Sequence, residues 1–238
     1  MSEPAATSLV LGVLGGMGPA ATLDFLTKLQ AFTPARSDQD HIRVIVDINP
    51  KVPDRNVPGA EAGVVLAEMA GGLAGAGAEV LAIACNTAHA HAGLIQRACG
   101  LPLIDMIETG AKAARDTGAR RVGVLATRGG LRLYREYLAA QAMGLVTLDA
   151  ERQEEFMATI YKIKAGDTGE AVRREMAGYA ADLAAAGAET VIAGCTEAPL
   201  ALRATDLRAP FIDPGELLAR RCVAVCLGRE PLPAMAGG

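Results

Sequence analysis

The sequence predicts an α/β fold of two similar lobes, each a parallel sheet flanked by helices, and three observations predict it. Short apolar runs alternate with segments of helical spacing along the whole chain, the pattern of strands joined by crossover helices. The chain is internally repeated. Leu73-Ala74-Gly75-Ala76-Gly77-Ala78-Glu79 matches Leu183-Ala184-Ala185-Ala186-Gly187-Ala188-Glu189 except at Gly75/Ala185, and the same offset carries Cys85 onto Cys195. Finally, 51% of the 238 residues are hydrophobic but only 3% aromatic. The core is therefore built from small aliphatic side chains with close approach at glycine, which suits helices laid on parallel strands.

In chain order, a strand over 9–14 leads into the glycine loop Gly15-Gly16-Met17-Gly18-Pro19 and a helix over 20–30. The loop can cradle an anion, but its glycine spacing is not a dinucleotide fingerprint. A strand over 44–48 is followed by a loop over 49–59, which three prolines and a glycine keep from becoming helix. A helix over 61–75, a strand over 80–84 ending at Cys85, a helix over 87–98 and a short strand over 103–105 complete the first copy. A helix over 109–117 leads into the second. There, a strand over 122–125 ends in Ala126-Thr127-Arg128-Gly129-Gly130, read as the loop equivalent to the first glycine loop. Helices over 134–143, 151–165 and 171–186, strands over 190–193 and 209–212, and a last helix over 214–226 follow, with a frayed tail over 228–238. The lobes are set as 1–105 plus 213–238, carrying Cys85, and 106–212, carrying Cys195, related by a pseudo-twofold axis with a cleft between them.

A net charge of −4 with no clustered basic stripe argues against nucleic acid and for a small-molecule partner. Residues 1–8 lack a basic and apolar leader, and no apolar run reaches the roughly 18 residues of a membrane span. A cytoplasmic protein without membrane contact is expected. Five cysteines, an odd number with no Cys-x-x-Cys pair, read as free thiols in a reducing compartment. Cys99, Cys222 and Cys226 read as buried small hydrophobes.

Cys85 and Cys195 differ from those three, because each stands where an apolar strand stops and small polar residues follow. A thiol at a helix start is expected to fall below its usual pKa of about 8.5. Two such thiols facing one ligand from opposite lobes can invert a carbon centre, one taking a proton as the other returns one. Asn86, Thr87, Thr127 and Thr196 supply donors at strand ends for a carboxylate, or serve simply as helix caps. Arg55 can fork onto a carboxylate or remain a solvated loop residue. Lys162 and Lys164 are two apart on a helix, so at most one faces the cleft. His89 and Glu197 are placed to orient or polarise a thiol, whereas His41 and His91 read as surface residues.

The stretches Gly15-Gly16-Met17-Gly18-Pro19-Ala20-Ala21-Thr22, Asn49-Pro50 with Pro53-Asp54-Arg55, Ala84-Cys85-Asn86-Thr87-Ala88-His89, Ile163-Lys164-Ala165-Gly166 and Gly194-Cys195-Thr196-Glu197 resemble the aspartate/glutamate racemase superfamily, most closely its aspartate racemase branch. The resemblance implies a cleft active site needing neither pyridoxal phosphate nor metal, with Cys85 and Cys195 as the acid/base pair and a homodimer as the assembly. It places Asn86, Thr87, Thr127 and Thr196 around the α-carboxylate, Arg55 and Lys164 at the side-chain carboxylate, and Met17 among the substrate-binding residues. The sequence departs from the family pattern at Arg128, in a Thr-Gly-Thr position, and at Asn56, where threonine is common. Relatives that isomerise maleate, racemise hydantoins or decarboxylate arylmalonates leave the reaction open. A cysteine hydrolase using Cys85 with His89 and a non-catalytic amino-acid binder are the readings from other classes.

Overall fold

A computed structural model describes residues 8–57, 61–207 and 209–235. The last residues of the loop expected over 49–59, the first seven of the chain and the end of the tail lie outside the described residues.

The first sheet contains β1 (Leu11–Gly15), β2 (Val44–Ile48), β3 (Val80–Ile83) and β4 (Leu103–Ile104), all parallel, in the order β2-β1-β3-β4. The second contains β5 (Arg121–Val124), β6 (Gly144–Val146), β7 (Thr190–Ile192) and β8 (Phe211–Ile212), in the matching order β6-β5-β7-β8. The internal repeat in the sequence is thus a repeat of topology. The helices are α1 (Pro19–Phe32), α2 (Glu61–Gly75), α3 (Ala92–Cys99), α4 (Met106–Asp116), α5 (Arg128–Ala140), α6 (Ala150–Lys164), α7 (Glu170–Ala185), α8 (Ala198–Ala201) and α9 (Pro214–Cys226). Among the described residues no helix is long and apolar enough to cross a membrane.

Strand periodicity explains how each sheet is covered. Leu11 and Val13 point to one face with α1 and α9, where they meet Phe25, Leu29 and Leu218. Leu14, one residue out of phase, joins Leu66, Leu73 and Ile95 of α2 and α3 on the other. In the second sheet α6 and α7 cover one face and α4 and α5 the other. Met106 belongs to the core shared with α9, and Ile107 to the core shared with α5, so α4 starts where the two sheets' cores meet.

The repeated residues have repeated jobs. A Cβ on Gly12 would lie 2.8 Å from Ala78 Cβ, and one on Gly123 would lie 2.9 Å from Ala188 Cβ and 3.1 Å from Leu183 Cβ. Glu79 Oε2 accepts from the Val10 N–H at 2.8 Å, and Glu189 Oε2 accepts from the Arg120 and Arg121 N–H groups at 2.6 and 3.0 Å. Asp105 caps α4 through the Ile107 and Glu108 N–H groups, as Asp213 caps α9 through those of Gly215 and Glu216.

Several expected boundaries are corrected. Helix α4 starts at Met106 rather than 109 because Asp105 caps it. Helix α5 starts at Arg128 rather than 134: Thr127 Oγ1 accepts from the Gly130 N–H, so the residues read as a glycine loop form the first helical turn. The helix expected over 87–98 is a 3-10 turn over Thr87–His91 followed by α3. Strand β6 was not expected.

The duplicated glycine sites give a stability test. Gly123→Ala should destabilise the protein by about 1–3 kcal/mol through overpacking against α7. Gly71→Ala, in a part of α2 with nothing within 4 Å of its Cβ, should stabilise it by about 0.5–1 kcal/mol. Urea denaturation reads both, and equal effects would show that the strand glycines are not set by helix approach.

Candidate active site

The candidate residues gather where loops leave the C-terminal ends of the inner strands, the side on which open α/β sheets bind ligands. The loop after β1 brings Met17 and Gly18; the loop after β2 brings Arg55; β3 and β7 deliver Cys85 and Cys195; β5 delivers Thr127. Between the two sets lies a cavity of about 280 Å³ whose lining includes Met17, Gly18, Arg55, Thr127, Lys164 and the apolar Ile160.

Glu197 is the junction of this region. Its side chain is 3% exposed, and its two oxygens take four donors. Oε1 accepts from the Gly18 N–H at 3.1 Å and pairs with the Lys164 ammonium; Oε2 accepts from Cys195 Sγ at 3.1 Å and Thr196 Oγ1 at 3.3 Å. Gly18 follows the first sheet's β1, whereas the other three donors come from the second half of the chain, so this carboxylate ties the two sheets' loops together. The Met17 carbonyl makes a second such tie, accepting from Arg55 at 3.3 Å and Lys164 at 3.5 Å. Thr87 and Thr127 make a third, their hydroxyls 2.9 Å apart. Gly129 keeps that approach open, because a Cβ there would lie 2.5 Å from Thr87 Cγ2.

Both thiols are buried, each 5% exposed, and neither is among the residues that line the cavity. Burial, with the Glu197 charge next in weight, pushes the Cys195 thiol well above its ordinary range, and Lys164 offsets this only partly. The expectation of a thiol lowered by a helix start is therefore overturned for Cys195. Helix α8 is only four residues long, and desolvation outweighs so small a dipole. Burial lowers the Lys164 ammonium, but Glu197, Cys195 and Cys85 together raise it above its usual value. One cation thus feels both thiols.

The structure corrects the role expected of His89. Its Nε2 accepts from the Met106 N–H at 3.1 Å, which leaves Nδ1–H to donate to the Cys85 carbonyl at 2.9 Å. With both nitrogens on the main chain, the ring fixes the turn after Cys85 and does not polarise the thiol, which removes the partner a Cys85 hydrolase would need. Asn86 accepts from the Tyr134 hydroxyl at 2.8 Å, while its buried Nδ2 has no partner; a ligand oxygen would satisfy that donor. Arg55 places its terminal nitrogens on the carbonyls of Val52, Pro53 and Met17 and leaves Nε buried without a partner. Lys162 pairs with Glu175 on the outer face while its neighbour Lys164 turns inward. Among the described residues no three His, Cys, Asp or Glu side chains cluster to hold a metal ion.

Sequence reasoning missed Tyr134, which is fully buried and reaches Asn86 across 48 positions of chain. It also missed Tyr161, whose hydroxyl lies 3.5 Å from Asp54 beside the same cavity. Both contacts join residues far apart in sequence and carry no local signature.

The family profile described as Asp/Glu/hydantoin racemase matches residues 14–222. The chain is 25% identical over 231 residues to the broad specificity amino-acid racemase RacX of Bacillus subtilis, covering 93% of this chain and all of that protein. It is 37% identical over 157 residues to a glutamate racemase of Ralstonia nicotianae, covering 62% of this chain and 55% of that one. Among solved structures it resembles the Picrophilus torridus aspartate racemase with a TM-score of 0.78 and 26% identity, over 94% of this chain and 96% of that one.

The charge arrangement at Cys195 predicts a direction. Removing the Glu197 charge removes an influence that raises the thiol and leaves Lys164, which lowers it. Glu197→Gln should therefore shift the pH profile of Cys195 alkylation by iodoacetamide, followed by peptide mass spectrometry, to lower pH. A shift to higher pH would show that neither the Glu197 charge nor the hydrogen bond its carboxylate accepts from Sγ, both of which raise the thiol, governs its titration.

Proposed function

We propose, from the premise that this chain belongs to the Asp/Glu/hydantoin racemase family, that it is a cofactor-independent amino-acid racemase interconverting L- and D-aspartate, with glutamate as the nearest alternative substrate. The observation that carries the reading is the equivalent placement of two buried thiols. Cys85 and Cys195 follow topologically matched strands, β3 and β7, in two sheets of the same order, and both act on the one Lys164 ammonium.

In the proposed reaction a thiolate takes the α-proton from one face of the amino acid, and the opposite thiol returns a proton to the other. Cys195 delivers its proton to Glu197, which already accepts from Sγ. The substrate's own ammonium group then favours the thiolate that burial disfavours. Asn86 Nδ2 and the hydroxyls of Thr87, Thr127 and Thr196 hold the α-carboxylate, where charge accumulates as the proton leaves. Arg55 and Lys164 receive the side-chain carboxylate by exchanging main-chain contacts for it, with Met17 lining the site. His89 fixes the loop that carries Cys85. We take 1–105 plus 213–238 and 106–212 as the two catalytic lobes and a homodimer in the cytoplasm as the working form, on the family resemblance.

A wider side-chain range is the second reading. Val52, Met157 and Ile160 give the cavity an apolar wall, and Lys164 is already paired with Glu197.

The test separates the two faces. In deuterium oxide Cys85→Ala and Cys195→Ala should each lose racemisation in both directions. Each should still exchange the α-proton of one enantiomer without inverting it, the two variants choosing opposite enantiomers. Near-normal racemisation by either variant, or exchange of the same enantiomer by both, would rule out opposed thiols.

A further inference from the structure

A second cavity of about 220 Å³ opens beside the cleft, lined by Arg55, Asn56, His91, Arg128, Gly129 and Arg132 among others. It draws on both halves of the chain: the loop after β2 and the turn after β3 on one side, the first turns of α5 on the other. Three arginines and a histidine line it, and no carboxylate does. Acids outside the lining offset part of this charge, Asp54 at Arg55 and Glu154 at Arg128, but not at Arg132. Glu154 pairs with Arg128, and Asp54 Oδ1 accepts from both the backbone N–H and Nδ2 of Asn56. Among the described residues Arg132 has no ion-pair partner and His91 no hydrogen bond. Gathering like charges around a concave space costs free energy that an anion would return, and guanidinium forks match oxyanions in particular.

We infer that this cavity binds a small oxyanion, of the phosphate or carboxylate class, that bridges the two halves of the molecule and acts as an effector of the cleft. Arg55 and Asn56 line both cavities, so an occupant here competes for the same guanidinium that reaches Met17. An anion held between Arg132 of α5 and His91 of the facing turn also fixes how closely the two sets of loops approach. The inference does not depend on racemisation, because its readout is binding.

His91 reports on occupancy. Burial lowers it below its ordinary range. The charged groups on the elements around it are Lys51, Asp54 and Arg55 of the loop, Glu61 and Glu68 of α2, Arg97 of α3, and Arg128, Arg132, Arg135 and Glu136 of α5. Of these, only the arginines at 55, 128 and 132 line the cavity. A bound dianion favours the imidazolium, so the His91 titration should move upward on binding, and binding should tighten as pH falls.

The chain has three histidines, so imidazole NMR resolves them. Titrating the full chain with sodium sulfate, against sodium chloride of equal ionic strength, should raise the His91 midpoint by about one pH unit and leave His41 in place. The double variant Arg128→Gln/Arg132→Gln keeps the cleft intact and should weaken sulfate at least about tenfold, the loss expected from two partly exposed charge contacts. Succinate in place of sulfate identifies the class: the anion that saturates His91 at the lower concentration is the better match, and either order supports the site. A His91 midpoint unmoved by both anions, or sulfate affinity unchanged in the double variant, would show that these residues hold no anion and overturn the inference.

Discussion

The structure depends on a carboxylate that is buried and fully used. An ionised group out of water is tolerated only when its charge is paired and its lone pairs are filled. Glu197 meets that condition with four donors, one of them the Gly18 N–H from the opposite half of the chain. Moving the Gly18 loop away would leave Oε1 with Lys164 alone, and moving Lys164 away would leave an unpaired buried charge. The positions of the glycine loop, the end of α6 and the Cys195 strand are therefore coupled through one side chain. The closeness of the two sheets' loops at the Met17 carbonyl and at the Thr87–Thr127 contact follows the same coupling.

Duplication explains why a chain with so few aromatic side chains makes so regular a cleft. The Gly12 and Gly123 strands sit against Ala78 and Ala188 at nearly the same distance, and Glu79 and Glu189 tie the starts of β1 and β5 through backbone N–H groups. With the frame set twice by the same residues, β3 and β7 end at equivalent places and each delivers a thiol. The halves then diverge in what surrounds the sulfur. Cys85 is followed by a 3-10 turn pinned by His89, whereas Cys195 is followed by Glu197 and one turn of helix. Symmetric placement with asymmetric surroundings suits a reaction whose two faces require a base and an acid in turn.

How much of this the sequence shows depends on how local the cause is. The strand before each cysteine is legible because its apolar run and the stop after it are contiguous, and α2 because its apolar face repeats within one segment. The start of α5 is hidden. Arg128-Gly129-Gly130 has loop composition, and only Thr127's capping contact and the Thr87 side chain pressed on Gly129 show why glycine stands in a helix. Strand β6 is three residues long and includes a glycine, too little for a period. The pairing of Lys164 with Glu197 and of Tyr134 with Asn86 is non-local, so residue types suggested the site while its wiring stayed out of view. The reversed shift at Cys195 has the same origin, since helix length and burial are properties of the fold rather than of the motif.

In the proposed reaction two thiols on matched strands move a proton off one face of Cα and onto the other, and the most direct measurement follows that proton. L-Aspartate is incubated with the unmodified protein in deuterium oxide, and early samples are resolved by chiral chromatography with mass detection. Opposed thiols should give D-aspartate carrying one deuteron at Cα while the remaining L-aspartate is still unlabelled, because each thiol serves its own face. D-Aspartate that retains its original proton, or deuterium entering the L-aspartate pool as fast as D-aspartate forms, would contradict that arrangement.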